Sequence, residues 1–135
     1  MQRDSNKNPD LWGLSPYLLR PLFWLGLVLI CLLAWLPVEN PSLTESYADK
    51  VNHVACFLVL LPLLRLAYGY SLSKTTLLLF GYGLVIEAVQ FWLPWRKFSL
   101  LDLAADGVGL LAGILLVWVV GAVYREYVRS SNFEV

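Results

Sequence analysis

Charge is scarce in this chain: Asp, Glu, Lys and Arg make up 15% of its 135 residues, against 59% apolar. A soluble domain carries about a quarter charged residues, so a water-soluble globular fold is excluded. Lys plus Arg and Asp plus Glu balance at ten each, and no basic run appears. Nucleic acid is thereby removed from the partners. There are only two cysteines and one histidine, and no zinc-type spacing links them. Internal repeats and low-complexity stretches are also missing.

What is present is apolar length. Four segments, residues 17–36, 51–68, 75–93 and 101–124, each approach the roughly 20 residues that cross the hydrocarbon layer. The expected fold is all-α, an integral membrane bundle of four transmembrane helices. Residues 1–16 read as a short cytoplasmic tail, 17–124 as the four-helix domain and 125–135 as a second cytoplasmic tail. The second segment is the least regular. It contains His53 and Arg65, and Pro62 should kink it and free carbonyls that neighbouring helices must cover. The first segment follows Arg3, Lys7 and Arg20, as a signal peptide would. Its end, Ala34-Trp35-Leu36-Pro37, offers no small-x-small cleavage site, so it reads as a retained anchor.

Orientation follows from the cations. Arg3, Lys7, Arg20, Arg65, Lys74, Arg125 and Arg129 gather on one side, and Lys50, Arg96 and Lys97 on the other. That imbalance predicts that both termini are cytoplasmic; the expected location is the cytoplasmic (inner) membrane. Trp12, Trp24 and Trp118 then fall near the inner interface and Trp35, Trp92 and Trp95 near the outer one, with the acidic loop of Glu39, Glu45 and Asp49 outside. Cys31 and Cys56 read first as small buried residues. A disulfide between them stays open, because both lie in the outer halves of their spans.

Against this background the polar residues stand out. A carboxylate at the centre of a span costs about 2.5–3.5 kcal/mol on insertion scales. Asp49 and His53 are four apart and share one face of the second helix. Glu87 and Gln90 are three apart on the third, with Gly83 on the same face. Asp102 and Asp106 are four apart on the fourth, continued by Gly109 and Gly113 with Ala105 beside them. Three helices therefore turn polar stripes toward a common interior. The short turn after Pro94 should hold Arg96 above Glu87, Gln90 and Asp102. The starts of the second and fourth helices, with Lys50, Arg96 and Lys97, favour an anion at this surface.

Each residue also has a plain structural reading. Ser46-x-x-Asp49 and Ser99-x-x-Asp102 match capping boxes, so each Asp can simply finish a helix end. His53 alone is more often a satisfied structural histidine than a ligand. Arg96 and Lys97 can be interfacial snorkelers. Glu87 and Asp106 cap nothing obvious and must be paired, protonated or wet. The glycine stripe reads as packing.

Asp49-Lys50-x-x-His53, Glu87-x-x-Gln90 and Arg96-x-x-Ser99-x-x-Asp102, leading into a Gly-rich last span, together resemble the VanZ-like family. The likeness covers roughly residues 49–116. Where that family commonly has Asn, this chain has Asp106, and the Phe frequent after the family's His is Val54. The resemblance implies a small multi-helix membrane protein of the cell envelope. The family's namesake is linked to low-level resistance to the glycopeptide antibiotic teicoplanin.

Three functions fit, in descending order. The first is recognition of an anionic lipid, peptidoglycan-precursor or glycopeptide group at the outer surface by Asp49, Lys50, His53, Glu87, Gln90, Arg96, Ser99, Asp102 and Asp106. The second is an intramembrane hydrolase or transferase with Glu87, Asp106 and His53 as candidate catalytic groups. A divalent cation on Glu87, Asp102 and Asp106 would suit it, as would His53 oriented by Asp49 as general base. A Ser99/His53/Asp49 triad can be written, but no elbow motif supports it. The third is a proton- or ion-coupled transporter, for which four spans without inverted repeats are thin unless the protein oligomerises.

Overall fold

The computed structural model of the chain describes residues 15–37, 43–96 and 98–131. Arg3, Lys7, Trp12, Glu39 and Lys97 lie outside the described residues, and so do the ends of both tails. Four helices follow in order: α1 (Pro16–Trp35), α2 (Leu43–Tyr68), α3 (Leu72–Trp92) and α4 (Leu100–Ser131). No strand occurs among the described residues, and all four helices are long and apolar enough to cross a membrane. The chain is an all-α, multi-pass membrane protein.

The helices begin and end for local reasons. Ser15 caps α1 by accepting the Tyr17 N–H at 3.3 Å, and Pro16 opens the first turn, where its missing N–H costs nothing. Pro37 restricts Leu36 to extended backbone and ends it. Gly69 takes a φ of 65° just past α2, the left-handed stop that favours glycine. Ser71 then caps α3 through the Lys74 N–H at 3.3 Å.

Three helices outrun their apolar segments. α2 starts at Leu43 rather than 51, α3 at Leu72 rather than 75, and α4 continues to Ser131 rather than 124. Hydropathy stops at charges such as Asp49 and Arg125, whereas the backbone ladder continues while propensity allows. α4, at about 1.5 Å per residue, spans about 48 Å and overshoots a hydrocarbon layer of about 30 Å. One correction follows directly. Because α2 is already under way at Ser46, Asp49 lies inside the helix and closes no capping box there.

Short connections make successive helices antiparallel, so α2 and α4 run parallel and form the most extensive interface. The glycine stripe explains their closeness. A Cβ on Gly109 would stand 2.5 Å from the Val54 carbonyl oxygen, and one on Gly113 would stand 3.2 Å from that of Leu58. Leu58 is the carbonyl that Pro62 leaves without its helical donor. α2 runs through Pro62 as one element, with the backbone of α4 lying over the freed oxygen. Around and beyond that contact, Phe23, Phe57, Leu60, Leu61, Leu64, Leu79 and Leu110 form the apolar core. Leu25, Leu29, Leu77, Leu111 and Leu115 are exposed around the outside, where lipid solvates them.

α1 is fastened at both ends. Arg20 Nε donates to the Ala67 carbonyl at 3.1 Å and Trp24 Nε1 to the Tyr68 hydroxyl at 2.8 Å, tying its start to the end of α2. Midway, Tyr82 donates to the Leu27 carbonyl at 2.6 Å and is met by the Cys31 thiol at 3.1 Å. Both cysteines are free and half-buried, which answers the open disulfide question: Cys31 faces α3, not Cys56.

Candidate functional site

Asp106 sits one turn after Asp102 on the buried face of α4, and the parallel start of α2 brings His53 against it. His53 Nδ1 donates to Asp106 Oδ1 at 2.7 Å, with Asp106 fully buried and His53 nearly so. The pair leaves Nε2 as the imidazole nitrogen with no hydrogen bond among the described residues. Gly83 of α3 makes the room: a Cβ there would stand 2.5 Å from Asp106 Oδ2. The histidine is thus oriented by Asp106 from another helix, not by Asp49 from its own. Sequence spacing puts Asp49 and His53 on one face, but only tertiary packing supplies the closer carboxylate.

The start of α4 is held by an exchange between helices. Ser99 Oγ accepts the Asp102 N–H at 3.2 Å, the first half of a capping box. The second half comes from α3, since the Ser99 N–H donates to Glu87 Oε2 at 2.9 Å. Glu87 therefore does cap a helix, contrary to expectation, and its neighbour is the reason. Asp102 turns instead to Lys50, 3.3 Å away. The anion-attracting end of α4 is consequently met by a protein carboxylate, and the start of α2 lies nearly two turns before Lys50. The Ser99 hydroxyl is engaged at this cap, and no hydrogen bond links it to His53, so the triad is not assembled.

The polar residues of the third helix and its turn close the end of α1. A helix leaves its last four carbonyls without internal donors. Here Leu32 receives the Leu36 N–H at 3.0 Å, and Leu33 receives Arg96 Nη2 at 3.1 Å. Ala34 receives Gln90 Nε2 at 2.9 Å, and Trp35 receives Trp95 Nε1 at 3.0 Å. All four are satisfied. Arg96 was expected above Glu87, Gln90 and Asp102; it reaches Leu33 and comes within 3.8 Å of Asp49 instead. Trp95, read from sequence only as a belt residue, is part of this closure.

A cavity of about 230 Å³ opens beside the His53–Asp106 pair. Ile30, Leu33 and Ala34 of α1 form an apolar wall, and Asp49, Asn52, His53 and Arg96 a polar one. Cys56 and Phe57 complete it. Asn52 and Cys56 were missed in sequence, although their positions beside His53 and one turn below Asn52 could have marked them. Arg96 Nε is buried without a hydrogen-bond partner among the described residues, and Nη1 is beyond hydrogen-bond distance of Asp49. Ligand atoms of Asp49, His53 and Asp102 all lie within 4.8 Å of one another. Among the described residues this is the grouping able to take a cation, and it shares only Asp102 with the Glu87, Asp102 and Asp106 set expected from sequence.

A family model described as VanZ/LLP1 matches residues 15–121. No curated protein and no solved structure matches the chain. The matched span runs from the cap of α1 into the last third of α4, taking in every residue of the polar cluster and the helix end that it closes. The chain belongs to the VanZ/LLP1 family.

Proposed function

We propose that this VanZ/LLP1 membrane protein receives, in its polar cavity, the anionic headgroup of an envelope lipid or a lipid-linked peptidoglycan precursor. Arg96 is the residue that meets the charge. The observation that carries this reading is the state of its guanidinium: Nη2 is spent on Leu33, while Nε has no partner among the described residues and Nη1 is only loosely near Asp49. The N–H groups left over on this charged, planar side chain suit the oxygens of a phosphate or carboxylate. The two walls of the cavity match an amphipathic ligand, with the chain against Ile30 and Leu33 and the headgroup toward Arg96 and His53. The Lys/Arg imbalance supports an orientation with the cavity on the outer side of the inner membrane. There, competition for a glycopeptide such as teicoplanin, or for its target, becomes the physiological reading that the family resemblance implies.

Binding of a phosphate-bearing precursor lipid by protein in nanodiscs tests this. Arg96→Ala should weaken binding by roughly tenfold or more, as expected for a charge-assisted pair. Unchanged affinity in Arg96→Ala sinks the reading.

The His53–Asp106 pair favours a second reading, an intramembrane hydrolase or transferase. A carboxylate-oriented imidazole with an unbonded second nitrogen at a cavity is the arrangement of a general base. A divalent cation on Asp49, His53 and Asp102 would serve the same chemistry, with Asp106 holding the histidine ligand in place. Turnover of the bound lipid, lost in His53→Gln but not in Arg65→Gln, distinguishes catalysis from binding.

A further inference from the structure

The opposite end of the bundle carries a second and larger cavity, of about 520 Å³, between the ends of α2 and α4. Arg65 lies about 24 Å from Asp49 along α2, at 1.5 Å per residue, so this cavity is distinct from the polar one. Its lining is mostly apolar, including Pro62, Leu72, Leu116 and Trp118, with Tyr124 and two guanidiniums, Arg65 and Arg125, as the polar members among the described residues. Among the described residues no acidic side chain lines it.

Both arginines are held where they face this space. Arg65 Nη1 donates to the Tyr70 carbonyl at 2.9 Å, which fixes the side chain and leaves its other donors uncommitted to that bond. Arg125 folds back along α4, for a Cβ placed on Gly121 would stand 3.6 Å from its Nη1. That distance is ordinary contact, so the guanidinium lies against the helix at this turn. Two like charges sharing one apolar cavity repel, and an anion between them removes the repulsion. The cavity is formed by helices that cross the bilayer, so whatever fills it must also tolerate hydrocarbon. An occupant with one anionic group and an acyl chain meets both conditions.

We propose that this groove binds an anionic phospholipid of the bilayer, its phosphate at Arg65 and Arg125 and an acyl chain along the apolar wall. Arg20, Arg65, Lys74, Arg125 and Arg129 make this the basic end of the bundle. Basic pockets between spans on the cytoplasmic side attract anionic headgroups, at about 1 kcal/mol per cation near the surface. The inference does not depend on the function assigned to the polar cavity.

Native mass spectrometry of the full chain, released from nanodiscs containing phosphatidylglycerol and phosphatidylcholine, tests the proposal. The wild type should retain one phosphatidylglycerol in clear preference to phosphatidylcholine. Arg65→Gln and Arg125→Gln should each reduce that preference by roughly tenfold, as for loss of a charge-assisted hydrogen bond, and the double variant should abolish it. Gly121→Leu, which fills the groove without changing charge, should displace the lipid while helical content by circular dichroism stays constant. No preference in the wild type, or full retention in the double variant, would overturn the site and leave ordinary lipid solvation. A second copy of the chain bound in place of lipid would do the same.

Discussion

Asp106 and His53 meet at 2.7 Å across the interface of α4 and α2, and the glycine stripe next to them is what lets the two helices come that close. The pairing offsets part of the cost of placing a carboxylate in a span: Oδ1 has a donor, while Oδ2 is buried without a hydrogen-bond partner among the described residues.

Asp106→Leu should lower stability by about 1–2 kcal/mol, the upper range for hydrogen bonds between membrane helices. Asp106→Asn should cost less than half of that, because the amide oxygen still accepts from Nδ1. Unfolding in mixed detergent micelles measures both. If Asn is as costly as Leu, the charge and not the hydrogen bond holds the helices.

Gly109→Ala should destabilise by about 1–3 kcal/mol, the usual range for overpacking. Its Cβ would meet the Val54 carbonyl and Phe57 Cβ at 2.5 and 2.9 Å, where α2 backbone cannot yield. Gly107→Ala and Gly81→Ala meet nothing within 4 Å and should be neutral or stabilising by up to about 1 kcal/mol from helix propensity. Thermal unfolding of the three variants ranks them; a neutral Gly109→Ala would show that α2 and α4 are not in this contact.

Gln90→Leu should loosen the end of α1, because it removes the donor to the Ala34 carbonyl. Amide exchange in the last turn of α1 should accelerate, while exchange in α4 stays unchanged. Arg96→Lys should preserve the charge yet lose ligand affinity in nanodiscs, since an ammonium lacks the planar fork. Ligand binding at wild-type strength in Arg96→Lys would mean that charge alone is used.

Glu87→Gln should fold and insert normally, its carbonyl oxygen still accepting the Ser99 N–H. Glu87→Ala should cost about 0.5–2 kcal/mol, as for loss of a helix cap, and fray the first turn of α4. Exchange at residues 99–103 reads the difference. Equal protection in both variants would remove Glu87 from the cap.

A reporter fused after Val135 should be active only as a cytoplasmic form. An externally active fusion would invert the bundle and place the polar cavity inside.

Which helices exist was readable because a span needs only length and apolarity, and both are local. The ends were not, since α2 extends through Glu45 and Asp49 and α4 through Arg125 and Glu126 while polarity suggests a stop. The nine polar residues named for the site do cluster at one end, because spacings of three and four put them on inward faces and short turns align the helices. Their partners were misjudged. Glu87 caps α4, Gln90 and Arg96 close α1, and His53 takes Asp106 rather than Asp49.

Composition and periodicity by themselves determined that this chain is a four-helix membrane bundle and that Asp49 to Asp106 hold its polar face. Both follow from the cost of charge in hydrocarbon, which any single helix already feels. Only the tertiary structure decided which polar atom meets which, because a hydrogen bond is settled within about half an ångström by helix rotation and depth. Those are set here by Gly109 and Gly113 against the carbonyls of α2, and by Gly83 beneath Asp106. The groove holding Arg65 and Arg125 was likewise invisible in sequence, where the two lie on different helices and read only as flanking positive charge.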